Sequence, residues 1–552
     1  MKTILHLLKT NFLGQAPQWY KITVIAFLVI NPLLYYLISP FVAGWAILVE
    51  FIFTLACALK CYPLQPGGLL AIEALIIGLT TPKIVFHEVE LNIQTLMLLI
   101  FMVAAIYYVK DILFVVLTKL FLAIKKKHFL SLVFCLICAS LSAFLDALTL
   151  VAIAIAVCFN FYAIYYRVAS NSQSNEEELD EFRGFLRNII MHGAVGTIIG
   201  GTMTLVGEPQ NIMIGTKMGW SFAEFFKHNS VVSVPAAIMG FLACFSLEFF
   251  KFPGFKYQMP ELARELIIKD YRKKMMEMTR QSVYLHILQA IIFVLLVFAL
   301  AFHVAEVGLI GIGLIVIITA LTGRIKEHDL AEAFNNAMPF AVLIVVFFAI
   351  LGVVHSQHLI SPLTQWVFTL SGKAQLLGLY LVNGTLSFVS DNVFIASIFI
   401  SEVDAAYAVG QICEIISKID TAHAAGTFTQ FMSQHKATYS SYNNETINLF
   451  ISNLEAAYSN GTLAQFITNA KLEYLGKTVI EKGWYEKLAV VVNMGTNIPA
   501  LTTPNGHAAL LFLLTSSLAP LIKLSYFQMI KLTLPYTVVM TTTGALAIYF
   551  FL

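Results

Sequence analysis

Charge is the scarcest thing in this chain. Lys, Arg, Asp and Glu make up 12% of 552 residues, about half the share in a soluble protein of ordinary composition. A soluble chain this long would divide into several domains, each with a charged surface, and the charge for that is missing. The net charge of +2 offers no basic field to a nucleic acid. Cysteine is sparse too, and six of the seven residues lie in apolar runs. Cys135 and Cys138 form a C-x-x-C inside FLSLVFCLICASLSAF with no acid or histidine beside it. Packing therefore explains the pair better than redox or metal chemistry, and no disulfide framework is expected. No small-residue cleavage site follows a short apolar region at the amino terminus, so the run near 22–38 reads as an uncleaved span. Trp19 and Tyr20, just before it, sit where an interfacial aromatic belt would be.

What is abundant is apolar surface. Hydrophobic residues are 59% of the chain and the mean hydropathy is +0.80. That is enough for about a dozen spans of the ~20 residues a bilayer core requires. The expected fold is an all-α polytopic membrane protein. Interruptions by Gly, Pro, Asn and Asp leave ten to thirteen spans, some of half length. Stretches near 111–124 and 326–338 alternate charge and apolarity at helical spacing, as helices lying in the interface plane do.

The few charges orient and divide the chain. Lys125, Lys126 and Lys127 form a compact cluster, and residues 251–280 hold eight basic side chains against four acids. Both belong on the cytoplasmic side by the positive-inside rule. The predicted organisation is a membrane segment over 1–250, a basic linker over 251–282 and a second membrane segment over 283–410. A polar insert over 411–483 and a final membrane segment over 484–552 complete it. The insert has six acids against five lysines. It keeps helical periodicity, with Ile447, Phe450, Ile451, Leu454 and Tyr458 on one face and Leu463, Phe466, Ile467 and Leu475 on another.

A pattern repeats across the two halves. Ser142-Ala-Phe-Leu-Asp146-Ala-Leu-Thr149 and Ser387-Phe-Val-Ser390-Asp391-Asn392 each set an Asp among small hydroxyl residues within a long apolar run. Each is followed by a Gly-Thr…Pro-Asn break, at 201–211 and at 495–506. A charged Asp within a membrane helix costs at least ~2.5–3.5 kcal/mol, so such residues face a protein interior or a wet cavity. Pro and Gly breaks are tolerated where the freed backbone lines a cavity. Broken helices meeting at mid-membrane in paired repeats mark a secondary transporter, although a single such Asp could equally cap a helix end. The runs 129–160 and 376–402 contain no Lys or Arg. Carboxylates, amides, hydroxyls and freed carbonyls form a hard-oxygen set suited to a small cation such as Na⁺. A desolvated Asp also has a raised affinity for protons, so proton and cation would compete for it.

Asp146 and Asp391 are the expected carriers of ion and proton. Ser142, Thr149, Ser387, Ser390 and Asn392 would add ligands, as would Thr202, Asn211, Thr496, Asn497 and Asn505 at the breaks. Glu208 would be a second proton site or a cap on the helix beginning at Pro209. Glu50 and Glu73 suggest structural pairing, and His507 suggests packing rather than pH sensing. No cofactor and no resident metal are implied. An intramembrane enzyme would need a Y-D/G-x-G-D or D-D-x-x-D arrangement, and the sequence has neither.

The stretches NFLGQAPQWYK (11–21), the run 38–74, LSAFLDALT (141–149), VGEPQN (206–211), AEVGLIG (305–311), SDNVF (390–394), GTNIP (495–499) and TPNGHAALLFLLTSSLAPLI (503–522) closely resemble the NhaB-type bacterial sodium/proton antiporters. The resemblance covers nearly the whole chain. It implies an electrogenic Na⁺(Li⁺)/H⁺ antiporter of the bacterial inner membrane, within a superfamily that also holds arsenite pumps and dicarboxylate transporters. It implies inverted repeats, each with a re-entrant hairpin (129–165 and 376–402) and a broken helix (188–216 and 488–522), and weakly a homodimer. The family has a short connection where this chain carries 411–483, which would lie on the periplasmic side. The alternative within transport is a sodium-coupled carrier of a small anion such as a dicarboxylate.

Overall fold

The computed structural model describes residues 11–58, 60–145, 147–169, 176–302, 304–335, 338–388, 392–433, 445–474 and 480–552. Among these residues the regular structure is helical throughout. Among the described residues six helices are long and apolar enough to cross a membrane: Gln18–Leu37, Ala147–Arg167, Phe222–Phe249, Arg280–Leu300, Asn392–Ala424 and Tyr526–Phe551. Two bent pairs would raise the number to eight, the bends being 61° at Tyr107–Lys110 and 65° at Ser356–Ser361. Fewer than ten helices are of full spanning length by this measure, and the expected ten to thirteen spans included some of half length. Four of the remaining runs form apolar helices of 10–17 residues, because a hydropathy window reports apolar composition and not where a helix stops.

Ten helices build the centre of the molecule, and we label these in chain order. They are α1 (Lys127–Ser142), α2 (Ala147–Ala169), α3 (Glu176–Gly201), α4 (Pro209–Met218) and α5 (Phe222–Phe249), then α6 (Lys373–Ser387), α7 (Asn392–Ala424), α8 (Lys482–Asn497), α9 (Ala508–Thr515) and α10 (Tyr526–Phe551). The predicted breaks fall where these helices end. Pro209 stands in the first turn of α4, where its missing N–H costs no bond and its fixed φ suits the helix. Gly219 closes α4 at φ +65°, a conformation that favours glycine. Pro499 and Pro504 each open a short 3₁₀ turn, so α8 cannot run on into α9.

Close approach of α1 to α3 depends on absent side chains. A Cβ at Gly196 would stand 2.4 Å from the Cys135 carbonyl oxygen, and one at Gly200 would stand 1.9 Å from that of Ala139. Small residues bring membrane helices to backbone contact in this way. A buried polar cluster ties the same helices to their neighbours. Lys127 Nζ lies 2.8 Å from Glu248 Oε2 and donates to the Phe255 carbonyl at 2.9 Å. Glu248 Oε1 is 2.8 Å from His192 Nε2, whose ring is 2.5 Å from the Tyr536 hydroxyl. One chain of contacts thus joins α1, α3, α5 and α10.

Elsewhere the structure sorts the remaining candidates. Glu50 and Glu73 are both buried, and one amide, Asn31 Nδ2, donates to them at 2.7 and 2.8 Å. This is the structural pairing expected of them. Trp19 is half exposed, and Tyr20 is buried and stacked on Phe53. The polar segment does carry helices, Glu445–Ser459 and Leu463–Tyr474, although Leu475 lies outside the described residues. Helix α7 runs 33 residues without a break, and its distal face (Ile412, Ile415, Ile416, Ile419) packs with Ile447, Leu454 and Ile467 in a separate small core.

Candidate functional site

The site is built where four helix ends and four helix beginnings come together. Ser142 is the last residue of α1 and Ser387 the last of α6, and α2 and α7 each begin five positions later. Between them, Asp146, Asp391 and Ser390 lie outside the described residues. Their flanks are described. The hydroxyls of Ser142 and Ser387 are buried without a hydrogen-bond partner. Asn392, the first residue of α7, is 1% exposed, and neither of its amide atoms has a partner. Leaving a buried polar atom unmatched costs about 1–3 kcal/mol, and these flank both acids.

Each break is stitched to the helix pair beside it. Thr204 Oγ1 donates to the Ala143 carbonyl at 2.6 Å, and Thr503 Oγ1 donates to the Phe388 carbonyl at 2.6 Å. Ala143 and Phe388 each follow the serine that ends α1 or α6. A Cβ at Gly506 would lie 2.3 Å from the Ser387 carbonyl oxygen, which is why no larger residue fits there.

The two breaks also bind one another. Asn497 is the hub. Its Oδ1 accepts from Gln210 Nε2 at 2.7 Å, and its Nδ2 donates to Asn493 Oδ1 at 2.8 Å and approaches Asn211 Oδ1 at 3.4 Å. Asn211 Nδ2 in turn donates to the Gly201 and Thr204 carbonyls at 2.7 and 2.6 Å, satisfying backbone freed at the end of α3. Asn493 Nδ2 donates to Asn229 Oδ1 of α5 at 2.9 Å. Glu208 makes no side-chain cap on α4, which removes the capping role. Instead its Oε1 sits 3.5 Å from Nε2 of His507, and both side chains are almost fully buried.

The remaining expected ligands divide. Thr202 and Thr496 are buried at the breaks, but each hydroxyl donates back to its own helix, to Ile198 at 2.7 Å and Val492 at 2.8 Å. Their hydrogens are therefore committed to backbone. Thr149, in the first turn of α2, and Asn505 both line a cavity of about 730 Å³. Asn505 Nδ2 donates to the Tyr526 hydroxyl at 3.1 Å, while its Oδ1 has no partner. The cavity runs on past Tyr62 and Asn335 to Lys110 and Asp111. Gln210, Asn493 and Asn229 lie outside the spacing argument. The first two are polar residues one helical turn or less from a break, a signal that was present, whereas Asn229 is placed only by folding.

Together the apolar helices, the helix breaks and the buried polar crossing between them define a multi-pass helical membrane protein. The model of the family described as "Bacterial Na+/H+ antiporter B (NhaB)" matches residues 1–439 and 428–552, two stretches that meet within the polar segment. A protein of Pectobacterium carotovorum named Na⁺/H⁺ antiporter NhaB is 46% identical over 556 residues, covering 98% of this chain and 93% of that protein. Proteins of the same name from Yersinia enterocolitica and Teredinibacter turnerae are 44% and 43% identical. They cover 100% and 98% of this chain and 94% and 97% of their own lengths. The chain belongs to the NhaB family of bacterial Na⁺/H⁺ antiporters.

Proposed function

We propose that this protein is an electrogenic antiporter that expels Na⁺, and Li⁺, in exchange for protons across the bacterial inner membrane. Asp146 and Asp391 are the groups for which cation and proton compete. The observation that carries this reading is the set of buried side-chain acceptors at Ser142, Ser387 and Asn392, each within four positions of one of the acids in the sequence. A neutral hydroxyl or amide oxygen without a donor is a ligand for a hard cation. Asn505, which lines the larger cavity with its Oδ1 unmatched, adds a further acceptor of the same kind. Thr202 and Thr496 contribute shape rather than hydroxyl protons, and Glu208 serves as a second proton site.

The matched stitching of Thr204 to Ala143 and Thr503 to Phe388 supports two inverted repeats whose hairpins enter from opposite sides. On that topology the basic segment 251–280 is cytoplasmic, the cavity past Lys110 opens to the cytoplasm, and helices 445–474 are periplasmic. Alternating access then closes this cavity and opens a route beside the second hairpin. A homodimer fits this architecture.

Everted membrane vesicles test the carboxylate mechanism. Na⁺-dependent proton movement should be lost in Asp146→Asn and strongly reduced in Asp391→Asn at unchanged expression. Full exchange in both variants would sink it.

A further inference from the structure

A second cavity, of about 430 Å³, lies beside the basic segment, between helix Glu261–Met276, helix Lys110–Ala123, α2 and helix Arg280–Ala301. Two of its lining residues are nine-tenths buried with an idle oxygen. Gln289 is 3% exposed and spends its amide hydrogens on the Tyr108 carbonyl at 2.7 Å and Asp111 Oδ2 at 3.3 Å. Its Oε1 has no donor, and neither does Thr118 Oγ1 at 5% exposure. With the Asp111 carboxylate, these make one pole of the cavity rich in acceptors. Lys274 and Arg324 line the same cavity and supply positive charge. Lys274 is paired with Asp270 at 2.9 Å and Arg324 approaches Asp111 only to 4.0 Å, and both are substantially exposed, so each can be shared with an anion. The intervening wall is apolar, with Phe114, Ile164 and Met275.

We propose that this cavity binds the headgroup of an aminophospholipid of the phosphatidylethanolamine class. The primary ammonium would donate to Asp111 and to Gln289 Oε1, the phosphate would meet Lys274 and Arg324, and the acyl chains would leave along the apolar wall. Each alternative headgroup fails one pole. A choline has no N–H to give Gln289, and a glycerol headgroup brings no cation to Asp111. Basic pockets between membrane helices at the cytoplasmic surface are established headgroup sites, and the acceptor pole is what selects an amine here. Asp111 also lines the larger cavity leading to Thr149 and Asn505, so an occupied site would alter the charge at the mouth of the ion's approach.

Native mass spectrometry on the full-length protein, delipidated and then exposed to vesicles holding equal amounts of the ethanolamine, choline and glycerol phospholipids with identical chains, tests this. The ethanolamine lipid should be retained about tenfold over the choline lipid, the worth of one charged hydrogen bond. Asp111→Asn and Gln289→Leu should abolish that preference, while Lys274→Ala should weaken retention of all three. Equal retention of ethanolamine and choline lipids, preference for the glycerol lipid, or an undiminished preference in Asp111→Asn would overturn the proposal. Asp111 is half exposed, so this variant keeps the test decisive if Gln289→Leu does not fold. Displacement by soluble glycerophosphoethanolamine at concentrations matching the lipid would overturn the lipid as the ligand.

Discussion

Glu208 and His507 are the pair that the two breaks bring face to face, 3.5 Å apart and buried. Neither ring nitrogen of His507 has a hydrogen bond, so the imidazole is held by shape and by Glu208 alone. Glu208→Gln keeps the shape and removes the charge. It should lower maximal Na⁺/H⁺ exchange by about tenfold, a barrier change of ~1.4 kcal/mol, with thermal unfolding unchanged; exchange at the wild-type rate would remove Glu208 from the proton path. The Lys127–Glu248–His192 cluster makes a different prediction, about stability. Lys127→Met leaves a buried carboxylate without its ammonium and should cost ~3–5 kcal/mol, whereas adding Glu248→Leu should recover much of the loss. Unfolding of both variants by denaturant checks this, and a double variant no better than the single would mean that the cluster is not coupled in this way.

Among the helices, the breaks were the most legible feature. Pro209, Pro499 and Pro504 lack the N–H a continuing helix needs, and each lies where a helix or turn begins. The serines and Asn392 flanking the two acids were legible for a related reason, since small polar residues in an apolar run need a partner or a ligand. What local pattern could not reveal is which distant residue supplies a partner. Lys127 and Glu248 are 121 positions apart, and each reads alone as the charged end of an apolar run. The continuation of α7 to Ala424 was hidden because its composition changes from apolar, over the buried run 392–400, to polar while the helical period does not. The glycines of α3 were present in the sequence, but their meaning depends on α1 crossing there. Gly200→Ala tests that crossing directly. With its Cβ 1.9 Å from the Ala139 carbonyl oxygen, backbone must shift, and overpacking of this kind costs about 1–3 kcal/mol. A lowered melting temperature is expected relative to Gly313→Ala, a helical site with open space around it. Equal stability of the two variants would refute the close contact.

At the scale of the molecule, the small core on the distal face of α7 is separate from the main one. It therefore packs largely on itself, and the transport machinery should not require it. Removing residues 428–474, with Ile412, Ile416 and Ile419 changed to Ser to cover the exposed face, should leave Na⁺/H⁺ exchange within about twofold of wild type, under 0.5 kcal/mol in barrier terms. Loss of exchange in a variant that still folds would assign the segment a part in the cycle. The central claim is that a cation and a proton exchange through the crossing of the two breaks without any other substrate. Purified protein in proteoliposomes, with an imposed Na⁺ gradient, a pH-sensitive dye inside and no organic anion present, tests it most directly. Inward Na⁺ should drive protons out in the wild type and not in Asp146→Asn, and a membrane potential should change the rate. Proton movement that appears only when a dicarboxylate is added, or that is equal in the two proteins, would contradict the account.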